Sequence, residues 1–549
     1  MNKRLPQLAV FICSLLGFIS CRTQEPVDLI LYNAKVYTSD NDSTIAEAFA
    51  INKGIFVEIG GSSFIRTKYK GKQEINLKGK PVYPGFIDAH AHFYGYAQNL
   101  IQADLVGTQS FAEVVERLVA HRKKYPNAPW LLGRGWDQND WPVKEFPTND
   151  TLNKLFPAVP VMITRVDGHA SLVNDKALAL ANITPASTIN GGIILKERGR
   201  LTGILVDNAE ELVTKKIPPL NRTELVKLLL AAQEKCFAVG LTSVTDAGLE
   251  KPVIDLMDSL QKAGALKMRV YAMLNPSEEN KKYYYKNGPY HTPYLNVRSF
   301  KVYADGALGS RGASLLHPYH DKPDQTGFLL QSQTYYQQLA EQLNQLGFQM
   351  NTHAIGDSAN RMVLKTYAGV LKGKNDKRWR IEHAQVVNPA DVSKFGNFSI
   401  IPSVQPTHAT SDMYWAPHRL GPERMPHAYA YKDLLKQNGF LALGSDFPVE
   451  DINPIFGFHA AVARQDAKNY PAGGFQKNNA LTRMQALYGM TRWAAYANFE
   501  EKEKGSIERN KFADFVILNQ DIIEAKLPAL RSTKVLATYS NGKVVYRAK

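Results

Sequence analysis

The chain has 549 residues, 44% of them hydrophobic and 21% charged, a globular balance that excludes a disordered or fibrous protein and calls for two or three domains. The 66 Lys and Arg against 51 Asp and Glu give a net charge of +15, but the positive residues are dispersed and short runs such as Arg122-Lys123-Lys124 stand between acids. No basic, aromatic-interleaved patch forms, so nucleic acid is not an expected partner, and a solvated surface near an anionic envelope accounts for the charge.

At the start of the chain, Lys3 and Arg4 precede an apolar run from Leu8 to Ile19 that ends at Ser20-Cys21. The run is too short for a spanning helix and fits the apolar region of a signal peptide over residues 1–21. Ser20 before Cys21 resembles a bacterial lipobox, although Phe18 departs from the usual leucine. The expectation is an extracytoplasmic protein held on a periplasmic or outer-membrane face by acyl chains on Cys21, each buried methylene contributing about 0.8 kcal/mol. Cys13 lies in the apolar run, so only Cys236 remains after processing, and no disulfide framework can form.

Residues 27–36, 45–51, 55–59 and 74–77 read as short strands punctuated by Gly54, Gly60-Gly61 and Gly79. The C-terminus has the same style, with strands at 512–518 and 535–539 and an Asn541-Gly542 hairpin turn into 543–546. The two ends, 27–83 and 500–549, are expected to form one composite β-sandwich. Between them, strand-like and helix-like segments alternate, the pattern of a parallel α/β arrangement. Candidate strands lie at 82–88, 241–247, 268–274, 297–304, 348–353, 379–383, 398–404 and 440–444, the eight a (β/α)₈ TIM barrel needs. The barrel is assigned to residues 84–108 and 223–499. Residues 109–222, rich in Trp, Gly and Pro, read as an inserted α/β domain serving as lid and specificity element over the strand ends.

The chemistry-bearing residues fall at those strand ends. His90 and His92, two apart in a strand, face one point, and paired neutral imidazoles suit a borderline divalent ion such as zinc. That spacing alone does not separate ligands from two ordinary strand histidines. Lys301, His353, His383 and Asp446 occupy the same end of later strands, and each singly reads as a packing or snorkelling residue. Together they suit one site.

The stretches Pro84-Gly85-Phe86-Ile87-Asp88-Ala89-His90-Ala91-His92, Gly135-Trp136-Asp137, Asp167-Gly168-His169-Ala170, Asp305 to Arg311, His353 to Asp357, Ile381-Glu382-His383 and Gly444-Ser445-Asp446 resemble the amidohydrolase superfamily. Within it they are similar to the branch of N-substituted formamide deformylases and YtcJ-like metal-dependent hydrolases. The resemblance implies that His90, His92 and Asp446 hold one metal, that His353 and His383 hold a second, and that Lys301, carboxylated on its amine, bridges two zinc ions. Burial lowers a lysine pKa, so the neutral amine can take up carbon dioxide. A metal pair about 3.5–4 Å apart activates water for attack on a carbonyl, with Asp446 moving the proton to the leaving nitrogen.

The function implied is hydrolysis of the C–N amide bond of a small N-acyl, N-formyl or cyclic amide. A mononuclear deaminase and a non-catalytic ligand-binding lipoprotein are the alternatives, and homodimerisation is open. His169 is a candidate oxyanion stabiliser or a turn histidine. Arg311 either grips a substrate carboxylate or pairs with a nearby acid, and Trp136, Asp137, Trp141 and Tyr303 are candidate pocket walls.

Overall fold

A computed structural model describes residues 24–549. The signal segment, with Cys13 and the proposed anchor Cys21, lies outside the described residues. Among those described, no helix is long and apolar enough to cross a membrane.

Eight parallel strands form the central sheet: β1 (Phe86–Ala91), β2 (Leu241–Leu249), β3 (Arg269–Leu274), β4 (Leu295–Tyr303), β5 (Gln349–Ala354), β6 (Arg380–His383), β7 (Ile401–Val404) and β8 (Ala442–Leu443). Each pairs with the next in chain order. The two ends meet just beyond β8, where the Asp446 amide donates to the His90 carbonyl at 2.7 Å and the His92 amide to the Phe447 carbonyl at 2.8 Å. Helices such as Arg222–Ala238 and Gln333–Gln345 cover the outside, where the expected helical spacing lay. The first is fixed at its start by a reciprocal Asn221–Glu224 cap.

The predicted strand at 82–88 is in fact two strands in two sheets. Pro81–Pro84 joins the terminal sandwich and Phe86–Ala91 joins the barrel. Gly85 is the hinge, and a Cβ there would lie 2.3 Å from the Thr242 hydroxyl oxygen. A similar crossing divides the early strands: the run at 27–36 breaks at Asn33 (φ 55°) into Glu25–Tyr32, in a four-stranded sheet, and Lys35–Tyr37, in the six-stranded sheet that also holds Pro81–Pro84. Two other strands are shorter than the apolar runs suggested: that expected at 398–404 starts only at Ile401, after Ser399 with a positive φ of 51°, and that at 440–444 is reduced to Ala442–Leu443.

The sandwich combines both termini. Pro81–Pro84 pairs antiparallel with Phe515–Leu518, which continues to Val535–Ser540 and Lys543–Arg547. Asn541 (φ 49°) and Gly542 (φ 68°) make the turn of that last hairpin, the left-handed pair such a turn demands. Its core packs Phe49 edge-on to Phe56 and Phe515, with Tyr539 stacked on Phe515 at 4.3 Å. The insertion is a six-stranded mixed sheet that recruits Ala103–Asp104, ahead of the expected start at 109, and runs to Arg200–Asp207.

Candidate metal centre

The barrel strands aim alternate side chains inward. In β4, Ser299, Lys301 and Tyr303 share one face while Phe300 on the other packs on Tyr285 and Phe348. His90, in β1, and His92, just past its end at the cap of the helix Phe93–Asn99, point to the strand-end opening. At β6 and after β8 the backbone bends sharply, with φ 71° at His383 and 63° at Asp446. For non-glycine residues such conformations are costly, and they turn both side chains toward the barrel axis.

The result is a buried cluster. His90, His383 and Asp446 present ligand atoms all within 4.8 Å of one another. Asp446 Oδ1 lies 3.1 Å from His92 Nε2 and 3.4 Å from His90 Nε2. Lys301 Nζ is 3.1 Å from His90 Nε2, and the His353 and His383 rings are 4.6 Å apart. All six predicted ligands therefore converge.

Fixed acceptors hold three of the imidazoles in one tautomer. His90 Nδ1 donates to Glu382 at 2.5 Å, His383 Nδ1 to the Gln405 side chain at 2.7 Å, and His92 Nδ1 to the Ala247 carbonyl at 3.1 Å. Each leaves Nε2 with its lone pair facing the cluster, that of His90 within reach of Lys301 Nζ at 3.1 Å. His353 is turned the other way, its Nε2 3.4 Å from the Gly306 carbonyl, so its free nitrogen is Nδ1. Glu382 is itself clamped by Arg380 at 2.7 and 2.8 Å.

These donors fit a divalent ion. Asp446 Oδ1 is buried and makes no hydrogen bond, although two imidazole nitrogens flank it, because neither presents a proton to it. Lone pairs this close repel unless a cation sits among them, and tetrahedral zinc with bonds of about 2.0–2.2 Å sets its ligand atoms about 3.3 Å apart. Burial pushes Lys301 down to about 8 against the pull of Glu382 and Asp446, which makes the neutral amine accessible. Burial and neighbouring cations hold His353 and His383 neutral.

A cavity of about 1040 Å³ opens over the cluster and is walled by the insertion. His169 enters from there, its ring 5.0 Å from that of His353. Burial disfavours its charge, yet Asp207, 2.7 Å from Nδ1, raises its pKa to about 9. Asp207 adopts the strained pair φ 52°, ψ −126°, with its carboxylate against Gly306 and Gly312, where any Cβ would lie 2.3 Å from it. Asp305 receives the amides of Ser314, Ile355 and Gly356 at 2.8–3.0 Å and so shapes the loop beside His353.

Other predicted residues are placed differently. Trp136 and Trp141 do not line the cavity; they pack in the insertion's own core, donating to the carbonyls of Ile163 and Thr108. Arg311 is bound by Asp321 at 2.9 Å and does not reach the cavity. Asp137 and Tyr303 do line it. Sequence reasoning passed over Glu382, Gln405, Asp207 and His408. His408 stacks on His383 at 5.9 Å, with its buried Nε2 unbonded and 3.7 Å from Asp446 Oδ2. Only Glu382 left a trace, since Arg380 and Glu382 are opposite charges at alternate positions of a strand that leads into His383.

Residues 73–546 match the model of the amidohydrolase family. The chain belongs to that family. This amidohydrolase is 30% identical to YtcJ of Bacillus subtilis (strain 168), provisionally named an amidohydrolase, over 94% of this chain and 99% of the relative. It is 25% identical to the N-substituted formamide deformylase of Arthrobacter pascens, over 94% of this chain and 98% of that protein. The crystal structure of an uncharacterized metal-dependent hydrolase from Pyrococcus horikoshii OT3 superposes with a TM-score of 0.75 at 29% identity, covering 91% of this chain and 99% of that one. The amidohydrolase is accordingly a metal-dependent hydrolase built on a (β/α)₈ barrel.

Proposed function

We propose that this amidohydrolase cleaves the C–N bond of a small N-acyl, N-formyl or cyclic amide with two divalent ions, zinc by donor type. The observation that carries this reading is Asp446 Oδ1, unbonded between two imidazole nitrogens that carry no proton, with Lys301 Nζ 3.1 Å from that of His90. His90, His92 and Asp446 would hold one ion, His353 and His383 the other, and Lys301 as its carbamate would join them. Bound there, the ions would lower the pKa of water and polarise an amide carbonyl. Asp446 takes the proton of the attacking water at its carboxylate and returns it to the departing nitrogen. His169, kept charged by Asp207, donates toward the carbonyl oxygen as negative charge grows there. The insertion above the cavity excludes bulk water.

Metal analysis of the purified protein with an amine-release assay on an amide panel tests the reading. Two ions per chain, falling to one or none in Lys301→Ala, together with cleavage abolished in Asp446→Asn, are expected. One ion per chain with ammonia released from an amino-heterocycle would establish the single-metal deaminase instead. Attachment through Cys21 is part of the same proposal, supported by Lys3, Arg4, the apolar run and Ser20. A Cys21→Ser variant that stays in the membrane fraction would refute it.

A further inference from the structure

The insertion lends two arginines to the cavity wall, and the fold neutralises only one. Arg165, at the end of strand Val161–Arg165, is saturated: Asp137 and Asp167 each pair with it, and its Nε donates to Gln138 at 2.8 Å. Arg134, on the neighbouring strand Leu131–Trp136, makes one hydrogen bond among the described residues, to the Val166 carbonyl at 3.0 Å. Its Nε is buried without a partner. The guanidinium lies flat on Gly168, where a Cβ would stand 3.3 Å from both terminal nitrogens. A side chain at that position would push the group out of line.

The nearby acids are already committed. Asp137 and Asp167 belong to Arg165, Asp207 to His169, Glu211 to Lys215 at 2.7 Å, and Glu210 accepts from Ser171. Asp446 faces the imidazoles. Arg134 is half-buried with its Nε shut off from solvent; a guanidinium is always charged, and desolvating part of one without a paired acid is unfavourable unless an anion arrives from outside. The planar fork suits a carboxylate. Its position on the insertion wall, across the cavity from the barrel's ligand cluster, sets the distance from the reacting bond.

We propose that Arg134 receives a carboxylate on the substrate, so that the preferred substrate is an amide carrying a free carboxylate on the arm that extends from the ligand cluster toward the insertion. This rests on reading the barrel mouth as an amide-cleaving site. Arg134 is thereby a specificity residue, taking the carboxylate-gripping role that the sequence offered to Arg311.

The test uses matched pairs, N-benzoylglycine with N-benzoylglycinamide and N-acetylphenylalanine with its amide, titrated calorimetrically into metal-loaded wild type, Arg134→Gln and Arg134→Lys. A charge-assisted contact predicts that wild type binds the carboxylate members about ten- to a hundredfold more tightly. Arg134→Gln, which keeps a donor for Val166, should erase that preference without lowering the melting temperature, and Arg134→Lys should retain part of it. Equal binding of the two members, a preference that survives in Arg134→Gln, or no binding of any pair would overturn the assignment. Amine release in the same samples separates the two claims. Carboxylate preference without cleavage removes the amide chemistry and leaves the Arg134 assignment standing; cleavage without preference does the reverse.

Discussion

The floor of the barrel and its mouth use the same kinds of side chain to opposite ends. On the floor, Arg269 is buried and fully engaged, by Asp514 at 2.6 and 3.1 Å, Asn541 at 2.7 Å and the Pro293 carbonyl at 2.5 Å. Arg380 above it is held by Glu382, Asn498, Ser403 and the Ala89 carbonyl. At the mouth, Asp446 Oδ1, His408 Nε2 and Arg134 Nε are buried with no hydrogen bond. Desolvating a polar group costs the same at either end. The floor arginines are completed by the chain itself and hold the structure, while the three open groups at the mouth all line the cavity and suit a metal ion or a substrate.

The sharpest break between the two ends is functional. Asp446→Asn should lower amide cleavage by about 10²–10⁴-fold, the usual worth of a positioned acid–base group, with little change in urea midpoint, as read by amine release and equilibrium unfolding. At the floor the order reverses. Arg269→Met leaves the Asp514 carboxylate buried without a counter-charge, held only by the Asn541 amide at 2.8 Å, so stability should fall by about 3–5 kcal/mol in urea unfolding while metal content per folded chain is unchanged. A floor variant that lost metal but not stability would dissolve the distinction.

Glu382 joins the two ends, since it touches Arg380 below and His90 above. Glu382→Gln should weaken metal binding about 10–100-fold, as loss of a partner behind a ligating histidine does, measured by chelator competition. The smallest effect concerns His169. Its pKa is raised to about 9, so the stabilisation from its charge is fully present below the unfolded histidine's ordinary 6.5 and is lost as pH rises through about 9. The stability difference between wild type and His169→Asn, about 1.5 kcal/mol for a charge-assisted bond, should therefore shrink as pH rises from about 6.5 and be lost above about 9 in urea titrations. A difference that grew with pH would mean that Asp207 does not hold the imidazolium.

Much of this was legible along the chain. Apolar runs of strand length separated by helical periodicity counted out the barrel, and histidines, a lysine and an aspartate at their ends marked the centre. Strand boundaries were less legible where a run served two sheets, because Pro81–Pro84 and Phe86–Ala91 look alike in composition and only the Thr242 contact at Gly85 separates them. Trp136 and Trp141 could not be assigned by type, since an aromatic ring suits a cavity wall and a core equally well.

By itself the sequence determined the parallel α/β class, the family and the candidate ligands that the fold brings together, since periodicity and side-chain chemistry are local and read one position at a time. Tertiary structure alone decided which charges are completed and which are left open. Glu382 is 292 positions from His90 and Asp207 is 38 from His169, yet each meets its partner within 2.7 Å. Whether Arg134 or Arg165 has a counterion depends on where folded strands place carboxylates. Electrostatic compensation is a property of distance in space, which no spacing along the chain encodes.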